Sequence, residues 1–250
     1  AEAHSNLGIL LKKLGRMDEA VASYHKALQI KPNYATAHNN LGNALKEVGQ
    51  FDEAFASYHK AIDVKPNYAE AHSNLGTILK EVGRLDEAIT HYHKALDIKP
   101  NFAEAHCNLG VTLEALGQLD EAVASYQKAL AINSDLAQAH CNLGNVNRKL
   151  GRVEEATASY HKALDIMPNF PEAHSNLAIV FNSSGRRSEA LEHWNKGLEL
   201  ERGDNPINPQ HRSFQFITRT KINHDIEQFR YLASQEYQTE RFLTFAKMYE

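Results

Sequence analysis

The tripeptide Asn-Leu-Gly begins at Asn6, Asn40, Asn74, Asn108 and Asn142, and Asn176 begins Asn-Leu-Ala. Each start lies 34 residues after the one before it. A fixed period of this length dictates a row of small supersecondary units that share one continuous core, because no unit can bury its apolar face alone. Six such units account for residues 1–204, and residues 205–250 do not repeat.

Each unit reads as two helices. In the first unit His4, Leu7, Gly8 and Leu11 make one helical stripe, and Gly15 then breaks the helix. Asp18 and Glu19 place negative charge at the next helix start, where the helix dipole favours it. Ala20, Tyr24 and Ala27 form a second stripe, and Pro32 stops it. Asn33 is expected to cap the following first helix, and Asn67 with Glu70 and Asn101 with Glu104 have capping-box spacing. The small residues Gly8, Ala20 and Ala27 recur in later units, so helices approach closely while Tyr24, Tyr58, Tyr92, Tyr126 and Tyr160 fill the space beside them.

The period, the Leu-Gly pair in the first helix, the Ala-x-x-x-Tyr of the second and the closing Pro resemble the tetratricopeptide repeat family. The pattern departs from it at His4, His38, His72, His106, His140 and His174, which stand where the family often has Trp, and at Ser134, which replaces Pro. The sixth unit is the weakest, with Ala178, Gly197 and Arg202 out of pattern. The resemblance implies an all-α, right-handed superhelical solenoid of six helix-turn-helix units with a groove lined by the first helices. It also implies a role in binding peptides or proteins.

Helical geometry places Glu2, Ser5, Asn6, Ile9, Lys12 and Lys13 opposite the stripe that starts at His4, and thus on the open face. An asparagine amide offers one acceptor and two donors, so it can pair with both groups of an extended backbone. Asn6, Asn40, Asn74, Asn108, Asn142 and Asn176 would then form a peptide-reading ladder, similar to the groove of the O-linked N-acetylglucosamine transferase repeats. The other reading is that these amides bond neighbouring helices. Six net hydrogen bonds at roughly 1 kcal/mol each give a dissociation constant of tens of micromolar, which suits sequence-tolerant recruitment. Lys12, Lys46, Lys80 and Arg148 share a register on the same face, where Glu114 and Asn182 also fall. The three lysines could favour an acidic segment, and Glu2, Glu70, Glu104 and Glu172 offset them into a mixed solvated face. A clamp for a chaperone C-terminal carboxylate uses basic residues at sites matching Ser5, Ser73, Glu2 and Glu70; none is basic here.

Other chemistry finds little support. With 27 Lys and Arg against 31 Asp and Glu, the formal charge of -4 gives no general pull toward nucleic acid. Most of the fourteen histidines recur at repeat spacing, where stacked helices lie too far apart for equivalent residues to share one ion at ~2 Å. They are expected to pack between units. Cys107 and Cys141 lie one unit apart, beyond expected bridging distance. They read as thiols of a reducing compartment or as small residues in the place of Ser5 and Ser73. Lys26, Lys60, Lys94, Lys128, Lys162 and Lys196 read as solubilising charge matched to the second-helix dipole. No phosphate loop, dinucleotide motif or nucleophile elbow occurs, and no metal or cofactor is expected.

No apolar run long enough to span a bilayer and no signal peptide is visible, so the expected location is the cytoplasm, with no membrane partner. The chain opens inside a helical pattern and is expected to be a fragment. In the tail, Pro206 and Pro209 mark a linker, Ile222, Ile226, Phe229 and Ala233 are spaced as an amphipathic helix, and Phe242, Phe245 and Tyr249 suggest another. The tail reads as a cap on unit six or as the entry to a further domain. The leading expectation is a non-catalytic scaffold that binds an extended peptide or protein segment. The alternatives are the recruitment arm of an enzyme whose catalytic domain follows residue 250, and a solenoid that self-assembles through terminal units or tail.

Overall fold

The computed structural model describes residues 1–202, and the expected tail with its helices over 222–233 and 242–249 lies outside the described residues. The chain divides into two units, Ala1–Arg202 and Gly203–Glu250. The described residues form twelve helices and no strand. The first helices of the six hairpins are α1 (Glu2–Lys13), α3 (Ala35–Glu47), α5 (Ala69–Glu81), α7 (Ala103–Ala115), α9 (Ala137–Lys149) and α11 (Pro171–Ser183). The second helices are α2 (Met17–Ile30), α4 (Phe51–Val64), α6 (Leu85–Ile98), α8 (Leu119–Ile132), α10 (Val153–Ile166) and α12 (Arg187–Arg202).

Glycine makes the turn within each hairpin. Gly49 has φ 79°, and its N–H donates to the Lys46 carbonyl at 3.0 Å while the Gln50 N–H donates to that of Leu45 at 2.9 Å. This is a Schellman closure, which needs the left-handed backbone that glycine adopts without strain. The next helix then begins at once, with Asp52 and Glu53 in its first turn.

The turn between hairpins differs from expectation. α5 starts at Ala69 with Tyr68 as its N-cap, and no side chain caps it. α7 starts in the same way behind Phe102. Asn67 and Asn101 sit one residue too early, so the capping boxes do not form, and Asn33 does not cap α3 either. Histidine tethers this turn instead. The Nε2 of His72 lies 3.0 Å from the Pro66 carbonyl oxygen, and His38, His106 and His174 reach Pro32, Pro100 and Pro168 at 2.8, 3.1 and 3.1 Å. His140 does the same to Ser134, so the loss of that proline leaves the tether intact. The histidines thus bond the turn backbone rather than merely pack between units.

Tyrosine against glycine fixes how the two helices of a hairpin meet. Tyr24, Tyr58, Tyr92, Tyr126 and Tyr160 are fully buried. A Cβ on Gly42 would come within 2.6 Å of the Tyr58 ring, and one on Gly144 within 2.5 Å of the Tyr160 ring. Only a residue without a side chain admits the ring there. Unit six carries Ala178 and Trp194 at these two registers.

Adjacent hairpins stack through the second helix of one and the first helix of the next. Consecutive first helices also approach closely along the whole row, from α1 on α3 to α9 on α11, whereas the backbones of consecutive second helices stay further apart among the described residues and meet only through side chains such as His59 and His91. The first helices therefore form the closely spaced wall of the solenoid. Stacking is what buries the leucines: Leu41 and Leu75 are 4% and 0% exposed, whereas the equivalent Leu7 of α1 is 45% exposed.

Candidate functional site: the first-helix wall

The wall is built from the registers opposite the His-Leu-Gly stripe. Asn6 is exposed, and Asn40, Asn74, Asn108, Asn142 and Asn176 are half-buried. Their bonding is not uniform. Asn74 donates through Nδ2 to Asn39 Oδ1 on the preceding first helix at 3.0 Å. Asn176 donates likewise to Asn145 Oδ1 at 2.9 Å. Asn142 accepts a bond from Gln138 Nε2 at 3.0 Å within its own helix. The described residues offer no side-chain bond to the amides of Asn6, Asn40 and Asn108. Asn74 keeps one N–H and its carbonyl oxygen for another partner, whereas Asn176 also donates to Cys141 Sγ at 3.8 Å and keeps only its carbonyl oxygen.

A second row lies beneath, one turn further on. Asn43 Oδ1 accepts the Tyr58 hydroxyl at 2.7 Å, and Asn145 Oδ1 accepts that of Tyr160 at 2.9 Å. The Tyr92 hydroxyl meets Thr77 Oγ1 at 3.3 Å. Val111 stands at this register in unit four and offers no acceptor, so the Tyr126 hydroxyl turns to Glu114 Oε2 at 3.3 Å. Burial is the chief cause that raises these phenols, bringing Tyr92 to about 12, so they are neutral donors at any physiological pH. Sequence reasoning missed this row. Its signal was present: a polar residue recurs fifteen positions before Tyr58, Tyr92 and Tyr160.

The charged register divides into engaged and open groups. Lys12 pairs with Glu47 at 2.7 Å and Lys149 with Glu114 at 2.8 Å, each across adjacent hairpins. Lys46 and Lys80 are half-buried and make no ion pair or hydrogen bond among the described residues. Burial lowers the Lys80 ammonium from its ordinary range; the charge of Glu81 acts against this, and the weaker effect of Lys46 adds to it. Arg148 lies beside the Tyr160 hydroxyl, and its buried Nε has no acceptor among the described residues.

Two other placements correct the sequence reading. Ser5, Ser73 and Cys141 are buried, at 2%, 3% and 0% exposure, so this register lies in the seam between first helices and not on the open face. The thiols therefore stand in for serine. Burial raises the Cys107 thiol to about 11 and Cys141 further, so neither is a nucleophile near neutrality. The repeated lysines also sit elsewhere than expected. Lys26, Lys60, Lys94, Lys128 and Lys162 are exposed and Lys196 is half-buried, and they fall before the last turn of their helices, beyond the reach of the helix end. Lys60 pairs only loosely with Asp63, at 3.9 Å.

Histidine pairs occur in units three and six alone. His72 Nδ1 lies 3.1 Å from His91 Nδ1, and His174 Nδ1 lies 2.9 Å from His193 Nδ1. A carbonyl only accepts, so His72 donates from Nε2 to Pro66 and, when neutral, accepts at Nδ1 from His91. His59 and His161 complete two matching trios, their rings 6.3 and 6.2 Å from those of His91 and His193. Four other units carry serine at the partner register: Ser23, Ser57, Ser125 and Ser159. No group of three or more His, Cys, Asp or Glu that could hold a metal ion occurs among the described residues. No helix of the described residues is long and apolar enough to cross a membrane.

A wall of this kind, made of first helices in contact and presenting aligned polar side chains, defines a helical-hairpin repeat solenoid. The family model of the TPR repeat matches over residues 10–49, 42–83, 76–117, 114–151 and 144–185. The chain therefore belongs to the TPR repeat family, whose members act as protein-interaction scaffolds. Among solved structures it is similar to MamA, at 27% identity over 70% of this chain and 98% of that one, with a TM-score of 0.60. It is similar to PilF of Pseudomonas aeruginosa at 22% identity over 86% and 96%, with a TM-score of 0.72. It also matches YrrB, described as a TPR protein with an unusual peptide-binding site, at 23% identity over 72% and 93%, with a TM-score of 0.60. The likenesses to PilF and YrrB bear on fold alone. No curated protein matches the chain.

Proposed function

We propose that this chain is a non-catalytic scaffold that holds an extended polypeptide segment along the first-helix wall. The observation that carries the reading is the row of amides from Asn40 to Asn176. They are half-buried, aligned on helices that touch, and left with donors and acceptors unengaged. Half-burial makes such amides favourable partners for a backbone, since an unmet polar group at low dielectric costs more than one in bulk water. The likeness of the Asn-Leu-Gly row to the O-linked N-acetylglucosamine transferase repeats supports the same reading, as does the peptide-binding site named for YrrB.

The contribution of each bond, roughly 1 kcal/mol, keeps affinity in the micromolar range before ordering costs. The test replaces Asn40, Asn108 and Asn142 by Ala together in the full chain. Asn40 and Asn108 make no side-chain bond among the described residues, and Asn142 reaches across helices only to the Tyr126 hydroxyl, which Glu114 also holds, so the helicity and melting of the triple variant should stay close to those of the parent. Binding of unstructured peptides from a random library, measured by fluorescence anisotropy, should weaken by about tenfold or more. Unchanged binding by a folded variant would sink the proposal.

A further inference from the structure

Lysine at the twelfth register recurs in three successive units, and its surroundings differ in a way that the sequence alone does not display. Lys12 is neutralised by Glu47, and Glu114 further along is held by Lys149 and by Tyr126. Between them stand Lys46 and Lys80, half-buried, on adjacent first helices, with no counter-charge bound to either. Each lysine lies close enough to the other that the charge of Lys46 opposes that of Lys80. Glu81 attracts Lys80 more strongly than Lys46 repels it, yet neither neighbouring carboxylate is bound to the pair. Glu47 is bound to Lys12, and Glu81 is exposed and makes no ion pair with Lys80. The polar groups one turn back, Asn43 and Thr77, already meet the Tyr58 and Tyr92 hydroxyls. Two partly desolvated ammonium groups are thus left for an anion that comes from outside.

Resting on the peptide-holding role above, we infer that the segment received by units two and three is acidic. It carries two carboxylates three residues apart that bind Lys46 and Lys80. The spacing follows from geometry. Packed helices lie ~8–10 Å apart. A polyproline-II chain repeats every three residues with a rise of ~3.1 Å each, so side chains three apart project from one face about 9 Å from each other. Such a chain has no internal hydrogen bonds, and its backbone remains open to the amides of Asn40 and Asn74. A helical segment fits less well, because residues three or four apart on it are only ~5–6 Å from each other.

The test uses the full chain and two synthetic proline-rich peptides that differ only in having two glutamates or two glutamines three residues apart. Fluorescence anisotropy at low ionic strength should show the glutamate peptide bound about tenfold tighter, from two partly screened ion pairs. That advantage should fall to within about twofold in Lys46→Gln/Lys80→Gln, while the affinity for the glutamine peptide is unchanged. Lys46→Glu/Lys80→Glu should reverse the preference toward a peptide with lysine at the two positions, which is a gain that misfolding cannot produce. Equal binding of both peptides by the parent chain overturns the acidic preference and leaves the amide wall standing. Failure of both peptides to bind overturns the wall reading together with it.

Discussion

Replacing His91 by Ser should remove part of the acid sensitivity of the fold. The His91 imidazole is held down to about 4, first by burial and then by the charges of His72, Lys94 and His59, with Glu87 acting the other way. In the unfolded chain it titrates near 6.5. Above about pH 6.5 both states are neutral, and the group contributes nothing to pH dependence. Between about 6.5 and 4 the unfolded chain takes up a proton that the folded chain refuses, so stability falls as pH falls. The ceiling is (6.5 − 4) × 1.36, about 3.4 kcal/mol. His91 is only half-buried, and solvent screening brings the expected effect to about 1–2 kcal/mol.

Serine is the replacement that the molecule itself supplies. Ser57, Ser125 and Ser159 occupy the same register and bond the carbonyls of Glu53, Glu121 and Glu155, at 2.8, 2.9 and 2.7 Å. The loss leaves His72 Nδ1 without a donor, as His106 Nδ1 already is in unit four, where Ser125 stands opposite. Thermal melts followed by circular dichroism at about pH 7.5 and 4.5 bracket the titration window. The gap between variant and parent should shrink or reverse in acid by about 3–6 °C for a chain of this size. Parent and variant that lose stability in parallel between the two pH values would refute the assignment of the acid response to this pair.

Gly42→Ala should destabilise by about 1–3 kcal/mol in urea melts, because the new Cβ meets the Tyr58 ring 2.6 Å away and the ring has nowhere to retreat. Gly83→Ala acts through the backbone instead: nothing lies near its Cβ, and the cost of about 1–2 kcal/mol comes from φ 80° alone. A thiol reagent at about pH 8 should modify Cys107 slowly and Cys141 only with global unfolding, since burial raises both thiols. Rapid reaction of Cys141 in the native protein would contradict its place in the first-helix seam.

The hairpins, their period and their glycine turns were legible because they are local and repeated. Gly15 and Gly49 break helices in any context, and a deviation in one unit is corrected by comparison with the next. The seams were not legible, because periodicity within one helix says which residues share a face but not which neighbour covers it. Ser5 and Asn6 are adjacent in sequence and fall together on a helical wheel. A first helix in contact with the next buries Ser5 and Ser73 and leaves Asn40 and Asn108 half open. The capping boxes failed for a related reason. Spacing alone fitted Asn67 to Glu70, yet the chain enters α5 one residue later, and His72 holds the turn through Pro66. The histidine pairs left a usable trace: both registers carry histidine only in units three and six.

The same departures from strict repetition decide where the wall can act. A repeat array is additive to a first approximation, each hairpin depending on its neighbours alone. Identical units would therefore offer identical sites, and a partner could slide along them. Here the twelfth register reads neutralised, open, open, and neutralised again from Lys12 to Glu114. In unit four a glutamate held by Lys149 and Tyr126 stands where units two and three carry open lysines, and the cation returns only at Arg148 in unit five, beside Tyr160. On the reading proposed above, the invariant asparagines would supply contacts without register, and the variable charges would supply register with few contacts. A scaffold that combined the two would hold a segment weakly at every unit and in one alignment only.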